Sequence, residues 1–214
     1  MTTTELVSTS ISLISLCVAV SAIYLGHFRD PNIEVKLGPD VHLYHPLDGG
    51  TAIYLPFLVA NNSPTRGAVH QIVIQVSTPS GKQYYSRWQE EADIKQRTWE
   101  YSTLGRVKPF TIGGHETVSK IYWFWFPETN SPLLFETGEY QVAAHIWTKN
   151  KQKPDAVFLE KFIITQEVEK ILADYRERKD PRTRFVYFKR RNLISAVTEN
   201  GKLPPPWESG NFLP

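Results

Sequence analysis

The chain changes its hydrophobic rhythm three times. From Leu6 to Leu25 it runs for twenty residues without a charged side chain. As a helix rising about 1.5 Å per residue, that run reaches about 30 Å, the thickness of bilayer hydrocarbon. Its serines do not argue against a helix, because a serine hydroxyl can bond back to a carbonyl one turn earlier. After Arg29-Asp30-Pro31 the rhythm becomes a period of two, broken by turn residues, and this persists to about residue 165. The predicted strands are Asn32–Leu37, Val41–His45, Thr51–Ala60, Ala68–Ser77, Lys82–Trp88, Val107–Ile112, Glu116–Phe126, Tyr140–Thr148 and Ala156–Ile164. Residues 89 to 106 read as the main irregular insertion. With no helical pattern between the strands, their pairing is expected to be antiparallel, in a sandwich or barrel.

A helical period then appears. Val168, Ile171, Leu172 and Tyr175 fall at i, i+3, i+4 and i+7 behind Thr165 as an N-cap. Glu167 and Glu169 stand in the first turn, Arg176, Arg178 and Lys179 near the last, and Asp180-Pro181 stops the helix. The organisation expected is an anchor over 1–30, a β domain over 31–165, an amphipathic helix over 166–180 and a basic, proline-rich tail over 181–214. The expected fold class is mainly β.

The first segment carries a second message. Ser8, Ser12, Ser15, Ala19, Ala22 and Gly26 are spaced 4, 3, 4, 3 and 4 apart, a 3.5-residue period occupied only by small residues. Such a seam lets two helix backbones approach closely, so the span is expected to self-associate or to pair with the span of another membrane protein. A cleaved export signal is the rival reading, with Val20-Ser21-Ala22 as its cleavage site. Against it, MTTTELV has no lysine or arginine and does carry Glu5. Before the span there is no basic side chain, and after it come His27, Arg29 and Lys36. The positive-inside rule therefore places the N-terminus outside and the bulk of the chain in the cytoplasm.

Composition refines this picture. Aromatic residues make up 13% of the chain and there are 15 prolines, as in strand-rich proteins with many turns. The single cysteine, Cys17, lies within the apolar run, which rules out an intramolecular disulfide and fits a reducing compartment. The net charge of +2 hides an asymmetry: the stretch from Arg176 to Arg191 carries +6 and the remainder −4.

At "ETGEYQVAAHIW" the chain resembles the immunoglobulin-like and fibronectin-III-like sandwiches. Glu136, Gly138, Tyr140 and Val142 match the acidic-x-Gly-x-Tyr-x-Cys pattern that opens the sixth strand, with Val142 in the cysteine position. "FLVANNSPTRGAVHQIVIQV" is similar to the second strand, loop and third strand of the same modules. The resemblance implies a fold over residues 32 to 165 and a tyrosine hydroxyl bonded back across the corner. It implies no activity.

Candidate chemistry is sparse. There is no phosphate-binding glycine loop, dinucleotide turn, HExxH or GxSxG, so neither an enzyme nor a cofactor is expected. Asp40, His42, His45 and Asp48 are the nearest approach to a metal set, but in a strand the two histidines point to opposite faces, and a solvated edge strand is the better reading. In "IYWFWF", Trp123 and Trp125 share one face, either covered by the 166–178 helix or open as an aromatic platform. Arg182, Arg184, Lys189, Arg190 and Arg191, interleaved with Phe185, Tyr187 and Phe188, suit anionic lipid better than nucleic acid, or form another strand with a solvated face. The functional expectation is a membrane-anchored interaction, scaffold or sensing protein. Its alternatives are a ligand-responsive membrane-perturbing effector and an exported carbohydrate-binding module.

Overall fold

The computed structural model describes residues 3–28, 30–95, 100–128, 132–149, 152–180 and 182–189. An apolar helix α1 (Thr3–Ile23) leads through a π-helical turn (Tyr24–Phe28) into β1 (Ile33–Leu37), β2 (Asp40–Tyr44), β3 (Thr51–Asn61), β4 (Gly67–Val69) and β5 (Gln71–Ser77). There follow β6 (Gln83–Lys95), β7 (Glu100–Arg106), β8 (Phe110–Ile112), β9 (Thr117–Phe126), β10 (Gly138–Trp147) and β11 (Ala156–Ile164). The helix α2 (Gln166–Glu177) and β12 (Arg184–Tyr187) complete the described elements. The fold is mainly β, with about half of the described residues in strands.

Ten strands form one antiparallel sheet in the order β11-β10-β5-β6-β9-β3-β2-β12, with β1 added on β3 and β7 on β6. The sheet is nearly a barrel. Two features make it so. First, β6 serves both layers: Gln83 to Arg87 pair with β5, and from Trp88 onward the strand pairs with β9 across a register shift. A bulge of this kind bends a strand and raises its twist, which lets one strand turn the corner. Second, just after β12, Phe188 bridges Phe162 of β11, bringing the last strand back to the first.

Alternation fills the interior. In β9, Tyr122, Phe124 and Phe126 are buried, and they meet Leu55, Ile53 and Thr51 across the β3 ladder. Tyr140, Val142, Ala144 and Ile146 of β10 close the core from the opposite layer, with Phe162 stacked on Tyr140 at 5.2 Å. The tyrosine corner forms as the motif implies: the Tyr140 hydroxyl donates to the Leu134 carbonyl at 3.1 Å and accepts from Glu136 N–H at 2.7 Å. The motif's glycine has its own reason. Gly138 sits at φ 145°, and a Cβ there would lie 2.5 Å from Pro79 Cγ, so only glycine fits without strain.

Two expectations need correction. Residues 89 to 106 are not an irregular insertion: they complete β6 and form β7, paired from Glu90↔Arg106 to Lys95↔Glu100. This hairpin hangs beyond the core with charged residues along it, so it lacks the one-sided apolar alternation that marks a strand with a buried face. The predicted strand Ala68–Ser77 is split at His70 into β4, which pairs with β8, and β5, which pairs with β10.

The helix over 166–177 forms as its pattern predicts. Thr165, with extended backbone, accepts from Val168 N–H, and Leu172 is its buried residue. Residues 184–187 take the strand alternative: Val186 pairs with Val41 and points into the core beside it.

Tyr140→Phe removes both corner hydrogen bonds and leaves Glu136 N–H without its partner. The expected loss is about 1–2 kcal/mol of unfolding free energy, measured by urea denaturation of the β domain. Gly138→Ala is expected to cost at least as much, through strain and the contact with Pro79.

Candidate functional site

Three surfaces carry the candidate residues. The first is α1. Val7–Gly26 is long and apolar enough to cross a membrane, and none of it is buried against the rest of the protein. Length and composition of this kind serve a membrane span and a signal sequence alike. Ile11, Leu13, Ile14, Leu16 and Val18 are all more than half exposed. Ser8, Ser12, Ser15, Ala19 and Ala22 follow one line along the helix. Ser12 Oγ donates to the Ser8 carbonyl and Ser15 Oγ to the Ile11 carbonyl, each at 2.9 Å. These hydroxyls are satisfied within the helix, so their face behaves as small and nearly apolar. Gly26 lies past the α-helix in the wider π turn, so the line it shares with the others bends there.

The second surface is the outer face of the sheet. The row Phe185–His42–Tyr54–Trp123–Glu90 crosses five strands in register. Tyr54 stacks on Tyr101 of β7 at 3.9 Å and 6°, and His42 packs on Phe185 at 4.2 Å. Trp123 and Trp125 lie nearly parallel at 6.4 Å and are half-buried; Trp125 Nε1 donates to the Gly49 carbonyl at 3.2 Å. The cover on this face differs from the one expected. The β6–β7 hairpin folds Tyr101 over it, whereas α2 packs at the end of the sheet near His45 and Phe135. Buried polar atoms of Trp123 (Nε1), Tyr101 (Oη) and His42 (Nδ1) make no hydrogen bond here.

The third is a cavity of about 540 Å³ beneath α2. Leu134, Phe135, Leu172 and Ala173 line it with apolar surface, while Glu136, Glu169, Arg176 and Glu177 supply its charges. Arg176 reaches Glu128 at 3.2 Å, and Glu169 accepts from Thr137 N–H at 2.9 Å. His45 forms one wall, its Nδ1 3.3 Å from the Gly50 carbonyl, which fixes the proton on that nitrogen in the neutral ring. Burial and the Arg176 charge lower its pKa, against the Gly50 bond. Apolar walls under a net acidic set of charges suit a small cationic or amphipathic group.

Asp40, His42, His45 and Asp48, the nearest approach to a metal set in the sequence, are dispersed. His42 binds Asp40 at 2.8 Å on the outer face, while His45 lines the cavity at the end of the sheet. Among the described residues, no group of three or more His, Cys, Asp and Glu is arranged to hold a metal ion.

The basic stretch is dispersed as well. Arg182 is paired with Asp180 at 2.6 Å and lies over the Tyr175 ring; Lys189 shares the Glu139 carboxylate with Lys161. Those two lysines hold the Glu139 carboxyl down to about 2. Arg184 is half-buried, and its Nε is without a hydrogen bond. Arg190 and Arg191 lie outside the described residues.

No sequence signal marked the cavity, since its walls come from three distant segments. Nor did one mark the return of Phe188 to Phe162.

No family model and no curated protein matches this chain. Among solved structures it is similar to the sporulation control protein Spo0M from Bacillus subtilis, with 17% identity, 68% of this chain and 55% of that one covered, and a TM-score of 0.34. A putative ApaA protein from Bordetella pertussis aligns at 12% identity over 64% of this chain and 97% of its own, TM-score 0.34. A family 123 glycoside hydrolase from Clostridium perfringens aligns at 11% identity over 62% and 27%, TM-score 0.36. The chain thus spans little more than half of Spo0M. The class defined here is a mainly-β domain, nearly a barrel, behind one exposed apolar helix.

Buried histidines set an acid limit on this domain. Burial lowers the His145 pKa to about 4, and His42 and His45 move the same way. The unfolded chain takes up these protons first, near the ordinary value of 6.5. Stability therefore falls as pH drops from about 6.5 towards 4, and His145 alone accounts for about 3 kcal/mol across that window. Urea midpoints at pH 7 and pH 5 check this, and His145→Gln should flatten the dependence.

Proposed function

We propose that the protein is a single-pass membrane protein that self-associates through α1 and presents an Ig-like β domain in the cytoplasm as an interaction or sensing module. The observation that carries this reading is α1 itself: without a charged residue from Val7 onward, free of the β domain, and lined on one side by small residues, with the Ser12 and Ser15 hydroxyls bonded within the helix. Exposed apolar surface on that scale requires lipid or another helix. The side of the membrane follows from His27, Arg29 and Lys36 after the span, with no basic residue before it.

Strand neighbours support the Ig-like assignment. The layer β1-β3-β9 and the layer β11-β10-β5 run in the neighbour order of A-B-E and G-F-C strands, with the tyrosine corner at the start of the F equivalent. The sensing form of the proposal uses the cavity beneath α2, where an amphipathic cation or a basic side chain of a partner would meet Glu136 and Glu177. Its role is binding, with no catalytic group assigned.

A second reading rests on the Trp123–Trp125 pair. Two near-parallel indoles on a β face offer a stacking surface for a sugar ring, in an exported domain of opposite sidedness.

The anchor reading predicts that the chain resists carbonate extraction and that a C-terminal reporter is active only in the cytoplasm. Recovery of soluble material cleaved near Ala22 would overturn it. Ser15→Leu or Ala19→Leu is expected to weaken self-association in membranes by about 1 kcal/mol or more, read as lost crosslinking. Unchanged crosslinking would remove the seam from the proposal but leave the anchor.

A further inference from the structure

The chain enters the β domain at one end, and its path there is fixed before the first strand begins. Pro31 lies against the turn that follows β3, its Cβ 3.0 Å from where a Cβ on Gly67 would stand. The Asn32 N–H donates to the Ser63 hydroxyl at 3.2 Å, and the Asn62 N–H donates back to the Asn32 carbonyl at 2.8 Å. Asp30 reaches Lys149, in the turn between β10 and β11, at 2.7 Å. An exposed ion pair is weak by itself, but the backbone bonds beside it hold the same point. Two more bonds gather neighbouring turns at this end. His115 N–H donates to the Ser63 carbonyl at 3.0 Å, and His70 N–H to the Trp147 carbonyl at 2.8 Å.

The helix α2 and its cavity belong to the opposite end. Strand β3 starts at Thr51, whose Oγ1 donates to the Leu133 carbonyl at 2.6 Å, next to Leu134 of the cavity wall. It finishes at Asn61, paired with Ile33 at the entry. Strand β11 likewise runs from Ala156, beside the Lys149 turn, to Ile164, beside the Thr165 cap of α2. At about 3.3 Å per residue, these strands set the two ends about 25–30 Å apart.

The connection to the span is short. Gly26 closes the apolar stretch, and five residues on, Pro31 is already held by the domain. Even fully extended, that length of chain covers at most about 18 Å. The headgroup layer alone occupies about 5–8 Å of it. The entry end is therefore held at the lipid surface wherever α1 spans a bilayer.

The chemistry of that end suits phosphate groups. Its carboxylates are turned to the protein's own donors: Asp30 to Lys149, Glu34 to Lys36, Asp155 to the N–H groups of Thr148 and Lys149, and Glu116 to Gly113 N–H. Arg66 and Lys153 are exposed and make no ion pair among the described residues. Charges at this end balance overall, so the span supplies the attachment and the two cations supply orientation.

We propose that the β domain stands on the bilayer on the end formed by the turns 61–67, 113–116 and 148–155, with Arg66 and Lys153 on lipid phosphates and the α2 cavity directed away from the membrane. This rests on the reading of α1 as a span and holds for either sidedness. It deepens the sensing form of that reading, because a cavity about 25–30 Å from the headgroups draws its ligand from the aqueous phase and not from the lipid.

The test uses the full chain with Cys17→Ser, carrying a fluorophore at Gln152→Cys on the entry end or at Lys170→Cys on α2. Each is reconstituted into phosphatidylcholine vesicles containing a phospholipid with a nitroxide on its headgroup. In protein that floats with the vesicles, the Gln152→Cys label is expected to be quenched at least about threefold more than the Lys170→Cys label, given the separation of the ends. Equal quenching, stronger quenching at Lys170→Cys, or none at either site overturns the orientation and leaves the anchor standing. Protein that does not float overturns the anchor reading and this inference with it. Arg66→Glu/Lys153→Glu is expected to halve the quenching at Gln152→Cys without changing flotation or the urea midpoint. Unchanged quenching in that variant overturns the phosphate contact.

Discussion

The return of the last strand to β11 is the contact on which the β domain depends. Phe188 packs on Phe162, the next backbone N–H bonds across to Lys161, and Glu139 holds both flanking lysines. A sheet with aromatic residues on both faces of β9 has to curl or be covered, because flat exposed edges and apolar faces invite association. Curling is achieved by the β6 bulge, and the curl is useful only if the two ends meet. Each half needs the other: without the bulge β12 could not reach β11, and without β12 the core face of β2 would end beside solvent at Val41.

Once the sheet is curled, its two ends differ. At one end α2, fixed by the Thr165 cap and by Leu172, roofs a cavity in which His45 is the buried polar wall. On the outside, the hairpin β6–β7 lays Tyr101 over Tyr54 and leaves Trp123 and Trp125 half covered. The cavity combines apolar area with the carboxylates of Glu136 and Glu177, while the outer face is a stack of rings closed largely on itself.

Much of this was legible in the residues. Period-two alternation located β1, β2, β3, β9, β10 and β11 because each has one face in the core. Thr165, the leucine and isoleucine spacing and Asp180-Pro181 located α2 because caps and stops are local chemistry. The Glu-x-Gly-x-Tyr motif located the corner because its glycine and tyrosine answer to geometry within a few residues. What failed was non-local. The 89–106 hairpin carries charges on its strands because it extends past the core, so it reads as loop. In β12 the alternation of Phe185 and Tyr187 with Arg184 and Val186 reads the same whether the strand is paired or solvated. The cavity draws His45, Phe135 and Arg176 from segments that no spacing rule connects.

Chain order gives the closing strand a further meaning. The strands of the curled sheet from β1 to β11 are synthesised before β12 brings the chain back to β11, so a nascent chain passes through a stage in which β11 has a long bare edge. Bare edges are where neighbouring chains pair wrongly.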